Sequence, residues 1–321
     1  MTAVGYYLGF DTSNYTTSVA CYCPEESTIR HSKRLLPVPA GQLGLRQSDA
    51  LFHHVRQLPE VLSQALAQAE GAPVAVCASE RPRNLPDSYM PCFLAGATTA
   101  KAVAATHRVP YYPTAHQDGH LAAALYASGR LDLADRPFLA FHVSGGTMEL
   151  LHITPHWEQV FSVTVLGQTL DISAGQLIDR VGIRLGLPFP AGAHLEALAQ
   201  DSTREEFRRI LLRDGDCSLS GMENLLEKML ADGAAPADAA RFLLLSLADL
   251  LDRMTRYALE RQGPLPVVYS GGVMSNRLLR SRLQQGAWES IFAPPEFSAD
   301  NAAGVAVLGC LMDQRQKGGG A

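Results

Sequence analysis

Two histidines, His116 and His120, stand four residues apart at the head of the run AHQDGHLAAALY, residues 115–126. On a helix that spacing puts both imidazoles on one face, one turn apart, a common way to hold a transition metal. The same spacing also serves an ordinary polar face or a satisfied core contact. Zinc-peptidase chemistry would need a Glu directly after the first histidine as general base, and Gln117 occupies that place. Asp300, in SADNAAG at the expected start of a helix, is either that helix's N-cap or the oxygen donor that completes a His-His-Asp set.

A second group of residues points to an anion. Asp11-Thr12-Ser13, Ser144-Gly145-Gly146 and Ser270-Gly271-Gly272 each follow an apolar run and form small polar turns. Glycine there lets the backbone approach a ligand and lets amides face phosphate oxygens. One such turn means little, because turns are rich in Gly and Ser. Three in a duplicated frame favour a nucleotide held between two lobes. GxGxxG and GxxxxGK[ST] are both absent, which disfavours dinucleotide-binding and P-loop folds, and no GxSxG elbow is present.

These turns require strands. GYYLGF (5–10) and TTSVACYC (16–23) read as a hairpin around the first turn. PFLAFHVSGGTMELLHIT (137–154) repeats that layout, and QVFSVTVLGQT (159–169) adds a third strand. Between them the apolar spacing predicts a helix over 49–70, broken or kinked at Pro59, a strand over 74–79 and a loop over 80–91. A small-residue helix (92–106) and a strand (109–114) then lead into the histidine pair. Further on the pattern predicts a helix over 171–187, a mainly helical region over 193–262 and a strand in PLPVVYSGGV. A helix in SNRLLRSRLQQ capped by Ser275 and a small-residue helix after SADN complete the chain.

The chain's 321 residues suffice for two domains, and 47% hydrophobic against 18% charged residues supports a packed core. No apolar run is long enough to span a bilayer. Six scattered cysteines with no CxxC pair argue against a structural zinc site and favour a reducing, cytoplasmic setting. A net charge of −5 argues against a broad nucleic-acid-binding surface. Arg277, Arg280 and Arg282 are candidates for phosphate or RNA contact, or form a solvated helix face.

Taken together, HQDGH, VSGG, LGQTLDISAGQLIDRVGIRLGLPFPAG, CSLSGMENLL, YSGGVMSNRLLR and SADNAAG resemble the motifs of the tRNA threonylcarbamoyladenosine transferase family over nearly the whole chain. The resemblance implies an α/β, two-lobed actin/hexokinase/Hsp70-like fold with duplicated RNase H-like lobes. The N-terminal lobe would span 1–125, completed by a C-terminal helix over 298–315. The C-terminal lobe would span 126–297 and carry the nucleotide-binding turns and a helical insert. The family's metal ligands fall on His116, His120 and Asp300, for one divalent ion, iron, zinc or magnesium. Its phosphate turn falls on His142, Val143, Ser144, Gly145 and Gly146, and its ribose and adenine contacts on Asp179, Gly192 and Asn276. Asp11 and Ser13 fall in its catalytic hairpin. The implied reaction moves a threonylcarbamoyl group from its adenylate to an adenosine in the tRNA anticodon loop. The implied partners are tRNA, recruited with partner proteins, among them an inactive paralogue of the same fold and a small ATPase, or a second copy of this chain.

The departures from the family pattern are specific. Where the family reads Cys-Asp-Glu, this chain has Asn14, Tyr15 and Thr16. Thr147, Met148 and Glu149 replace His-Thr-Gln after the second turn, Glu223 replaces a lysine, and ERPRNLPDSYMP replaces a short glycine-rich connection. Two rivals therefore stand beside the transferase: a nucleotide- and metal-binding paralogue with a regulatory or scaffolding role, and another carbamoyl or phosphoryl transferase of the same superfamily.

Overall fold

The structure, a computed structural model, describes residues 5–13, 15–37, 45–294, 297 and 302–318. It divides into two units, 1–135 with 155–162 and 299–321, and 136–154 with 163–298. Residues 126–135 and the hairpin tip 155–162 thus belong with the first unit.

In the first unit, β1 (Gly5–Asp11) pairs antiparallel with β2 (Thr16–Cys23), and β2 pairs antiparallel with β3 (Thr28–Leu35). Helix α1 (Gln47–Leu66) buries Ala50, His54, Leu58, Val61 and Ala65 along one face, the spacing that a 3.6-residue period requires. Pro59 does not break it. Both Pro59 and Val55 are exposed, so the Val55 carbonyl that loses its helical donor is open to water. Strand β4 (Ala72–Arg81) lies parallel to β1. After α2 (Phe93–His107), β5 (Tyr111–Ala115) lies parallel to β4 and runs straight into α3 (His116–Ala127). The sheet order is β3-β2-β1-β4-β5.

The second unit opens with β6 (Phe138–Val143), β7 (Met148–His156) and β8 (Val160–Gln168). Helices α4 (Ala174–Arg184) and α5 (Gly192–Ala199) follow, then the short pair β9 (Leu212–Arg213) and β10 (Asp216–Cys217). Next come α6 (Ser220–Ala231) and α7 (Pro236–Gln262), whose proline stands in the first turn, where no helical N–H is needed. Strand β11 (Val267–Ser270), α8 (Arg277–Leu283) and β12 (Ser290–Phe292) complete it. The sheet order is β12-β11-β6-β7-β8. Read from its other edge, this is the order of the first sheet: three antiparallel strands, then two parallel ones. The repeat seen in the two apolar hairpins is therefore a repeat of whole sheets. Stacked rings of Phe141, Tyr269 and Phe292, with centroids 5.2 and 4.9 Å apart, run across β6, β11 and β12.

Helix α9 (Ala303–Gly318) returns to the first unit. Its buried Asp313 accepts from Tyr7 Oη at 2.8 Å and Tyr112 Oη at 3.0 Å, which ties it to β1 and β5. Ser18 Oγ of β2 accepts from Ala302 N at 2.7 Å and holds the helix at its other end. Among the described residues, no helix is long and apolar enough to cross a membrane.

Three local expectations fail for identifiable reasons. Helix α4 starts at Ala174, not at 171, because Ser173 forms a capping box with Gln176 and Asp171 is bonded elsewhere. Residues 203–211 are not helical. Side chains of α7 take their backbone groups instead: Ser246 Oγ accepts from Arg208 N, and Arg241 and Arg253 donate to the carbonyls of Arg204 and Ile210. Asn276, not Ser275, caps α8, its amide oxygen accepting from Leu278 N at 3.0 Å and Leu279 N at 3.1 Å.

Candidate functional site

In the first unit, three neighbouring parallel strands end side by side, and each end delivers a polar side chain. Asp11 closes β1, Ser79 lies near the end of β4, and His116 follows β5 directly. The carboxyl ends of parallel strands are where α/β sheets commonly place ligands. Thr12 fixes the turn after β1 by donating to Cys92 O at 2.9 Å and accepting from Gly96 N at 3.1 Å, both at the start of α2.

Asp11 is fully buried yet surrounded by donors. Ser13 Oγ donates to its Oδ2 at 2.6 Å, Ser79 Oγ donates to its Oδ1, and His116 Nδ1 lies 3.2 Å from the same Oδ1. Burial alone would raise its pKa. The charge and hydrogen bond of His116, with the hydrogen bonds of the two serines, outweigh it and hold the carboxyl below its ordinary value. The His116 side chain is 20% exposed. His116 Nε2 stands 3.0 Å from His120 Nε2, with the rings at 73°.

The two Nε2 atoms are close enough to share one ion at the roughly 2.0–2.1 Å that imidazole ligation requires. His116 is also supported on its far side by a carboxylate, as metal-ligating histidines generally are. The donor set therefore fits a metal, and imidazole donors suit iron or zinc better than magnesium, which prefers oxygen. Among the described residues no group of three His, Cys, Asp or Glu side chains is assembled for a metal. Asp300, the expected third ligand, lies outside the described residues, as does Asn14.

Two neighbours of the pair carried no assigned role in the sequence reading. Asp118, between the histidines, is buried, and Asn84 Nδ2 donates to its Oδ2. Burial pushes this carboxyl up to about 7 against the opposing influence of Asn84 and Arg81. Arg81 Nε donates to Asn84 Oδ1 at 3.0 Å, and Gln117 N donates to Pro82 O at 3.0 Å. The proline-rich segment after β4 is thus seated on the first turn of α3.

In the second unit, the turn after β6 packs against two other backbones. A β-carbon on Gly175 would stand 2.5 Å from Ser144 O, and Gly271, at φ +96°, has no room for one beside Val143 O. Ser173 Oγ donates to Gly145 O at 2.8 Å. Ser144 Oγ accepts from Gly146 N at 3.3 Å and Thr147 N at 3.1 Å, so these amides are held inside the turn. Ser270 Oγ donates to Phe141 O at 2.8 Å and lies 3.5 Å from His142 Nδ1. Gly145, Gly146, Gly192 and Gly272 all border open space. The segment 142–146 and the turn 270–272 are therefore brought together with the start of α4.

Asp179 and Asn276 have local duties. Asp179 Oδ1 accepts from Ala191 N at 2.8 Å, directly before Gly192, and Asn276 is the cap of α8. Glu196 of α5 accepts from Arg277 N at 3.0 Å, which connects these two places. Of the three arginines, Arg280 donates to Met274 O at 2.6 Å and Arg282 pairs with Glu205 at 2.5 Å. Glu223, in place of the family's lysine, pairs with Arg180 at 2.9 Å and Arg184 at 3.0 Å.

The fold is found in solved structures of low sequence identity. Full-length HypF in its phosphate- and nucleotide-bound form is similar with a TM-score of 0.61 and 12% identity, over 98% of this chain and 47% of that one. This chain thus spans about half the length of HypF. A ROK family glucokinase from Streptomyces griseus, solved with glucose and AMPPNP, is similar with a TM-score of 0.53 and 13% identity, over 97% and 100% of the two chains. The shared architecture is the two-lobed actin/hexokinase/Hsp70-like one. In sequence, the chain is 30% identical to the tRNA N6-adenosine threonylcarbamoyltransferase of Geobacillus kaustophilus (strain HTA426), over 97% of this chain and 93% of that protein. It is 31% identical to the enzyme of the same name from Anoxybacillus flavithermus (strain DSM 21510 / WK1), with the same coverage. The family model for tRNA N6-adenosine threonylcarbamoyltransferase matches residues 41–307. The chain belongs to the tRNA N6-adenosine threonylcarbamoyltransferase family.

Proposed function

We propose that the protein transfers a threonylcarbamoyl group from threonylcarbamoyl-adenylate to the N6 amine of an adenosine in the tRNA anticodon loop, at a site holding one divalent metal. The observation that carries this reading, beside family membership, is the imidazole pair at the strand ends, with its Nε2 atoms 3.0 Å apart. In the reaction, N6 attacks the carbamoyl carbon, the bond from that carbon to the AMP phosphate oxygen breaks, and N6 gives up a proton. His116 and His120 would hold the ion, whose chemistry is Lewis-acid polarisation of a carbamoyl or phosphate oxygen. The glycine turns at 144–146 and 270–272, with Gly192, offer open backbone against which the AMP portion can lie. The acceptor adenosine must be unstacked to present N6, as single-stranded loops allow.

With a net charge of −5, the chain alone should bind tRNA weakly, and partner proteins would supply the cationic surface. A paralogue of the same fold and a small ATPase are the partners this reading expects, in a cytoplasmic setting. The test is reconstitution with threonylcarbamoyl-adenylate, tRNA and those partners, with the modified nucleoside measured by mass spectrometry. Product that depends on His116 and His120 supports the transferase. No product with all partners present overturns it and favours the paralogue with a regulatory role. One observation supports that second reading: Tyr15 and Thr16 stand where the family has two acids, and Thr16 is buried in β2.

A further inference from the structure

We propose that Asp11 acts through His116, as the carboxylate that orients a metal-binding imidazole, and that Ser13 and Ser79 are the hydroxyls that hold this carboxylate in place. The inference rests on the metal reading of the histidine pair and changes the role expected for the first turn. Family resemblance puts Asp11 and Ser13 in a catalytic hairpin, where an acid or nucleophile would have to reach substrate. The geometry gives them other work. Asp11 is 0% exposed and Ser13 2%, and the Ser13 hydroxyl points at Asp11 Oδ2, 2.6 Å away. The opposite oxygen, Oδ1, receives Ser79 Oγ and faces His116 Nδ1 at 3.2 Å.

An ionised carboxylate can only accept hydrogen bonds, and a serine hydroxyl on each oxygen favours the ionised form. In its neutral, metal-binding form His116 then carries its proton on Nδ1, toward Asp11. That tautomer leaves the lone pair on Nε2, the atom that faces His120 Nε2. Asp11, Ser79 and His116 come from three different strand ends, so their arrangement is set by the sheet and not by a flexible loop. Ser79 had no place in the sequence pattern, because it lies 68 residues from Asp11 and meets it only when β4 pairs with β1.

Two measurements on the full chain test this. The first is the nitrogen-15 NMR spectrum of the histidine rings in metal-free protein, with His116 assigned by comparison with His116→Ala. An Nδ1–H tautomer for His116 is expected, and an Nε2–H tautomer overturns the proposal even if neither Asp11→Asn nor Ser79→Ala folds. The second is titration of metal-stripped protein with Co2+, followed by its visible absorption bands. Asp11→Asn should weaken Co2+ binding about 10- to 100-fold and shift the bands, and Ser79→Ala should weaken it less, as for other outer-shell partners of ligating histidines. An Asp11→Asn protein that binds Co2+ like wild type but forms no modified nucleoside would show that Asp11 meets substrate directly, and would overturn the proposal. A wild-type chain that takes up no Co2+ removes the metal reading itself, and the proposal with it.

Discussion

Gly304 of α9 and Gly119 of α3 are in direct backbone contact: a β-carbon placed on Gly304 would overlap the Gly119 carbonyl oxygen and stand 2.7 Å from Ala123 N. Gly119 is the residue immediately before His120, so the fit between these helices sets the height of the histidine turn. Gly304→Ala should destabilise the first unit by about 1–3 kcal/mol, because neither backbone can yield without moving its helix. Gly221→Ala in α6, where a β-carbon meets nothing, should be neutral or stabilising by up to about 1 kcal/mol. Thermal unfolding of both variants checks this, and equal melting temperatures would contradict it.

Asp118 predicts a dependence on pH in the metal-free protein. Its folded pKa, about 7, lies above the ordinary 3.8, so the folded state binds the proton more tightly than the unfolded chain. The stability this contributes is complete below about pH 4 and is lost as pH rises through about 7. Asp118→Asn keeps an oxygen that can accept from Asn84 and removes the titration. Between pH 5 and pH 8, in chelator, wild type should lose more stability than the variant, by a margin of up to about 3 kcal/mol. Parallel denaturant midpoints at the two pH values would refute it.

Much of this architecture can be read in the chain, for physical reasons. The two hairpins are legible because β1, β2, β6 and most of β7 are buried, which demands continuous apolar runs. The histidine pair is legible because its partners are one helical turn apart. What cannot be read locally is whatever depends on strands pairing across the chain. Strand β12, three residues long, is recognisable only beside β11, and β9 and β10 are two residues each. Asp11 meets His116 across 105 residues, and Asn84 meets Asp118 from a segment with no periodicity. The missed cap is a near neighbour of the correct one: Ser275 and Asn276 are both good capping types, and the turn after β11 decides between them.

Asp171 explains why α4 starts late, and it makes a further prediction. The carboxylate accepts from Leu219 N at 2.8 Å, Ser220 N at 3.1 Å, Ser220 Oγ at 2.6 Å and Ile172 N at 2.7 Å, so it anchors the start of α6. Burial alone would raise its pKa, but these donors pull it down to about 2. Asp171→Ala should cost about 1–2 kcal/mol at pH 7, the range of a lost helix cap. A lowered folded pKa means this stability is present above about pH 4 and lost as pH falls through about 2. The gap between wild type and variant should therefore shrink by pH 2.5, and calorimetry at both pH values measures it. A gap that stays constant would show that the charge of Asp171 is not what holds the turn.

The glycine turns separate residues that build the second unit from residues that would touch a nucleotide. A side chain at Gly175 has no space, since Ser144 O and the backbone of Gly145 stand where its β-carbon would go. Gly175→Ala should therefore lower both thermal stability and nucleotide affinity, by displacing the turn. Gly272 borders open space, so Gly272→Ala should leave the melting temperature within about 2 °C of wild type. If the AMP portion of the adenylate lies against this backbone, the same variant should weaken binding of AMP about tenfold, because a methyl group then occupies the approach that glycine leaves. Calorimetric titration of wild type and both variants with AMP distinguishes the cases. Unchanged AMP affinity in Gly272→Ala, beside measurable binding by wild type, would place the nucleotide away from the 270–272 turn.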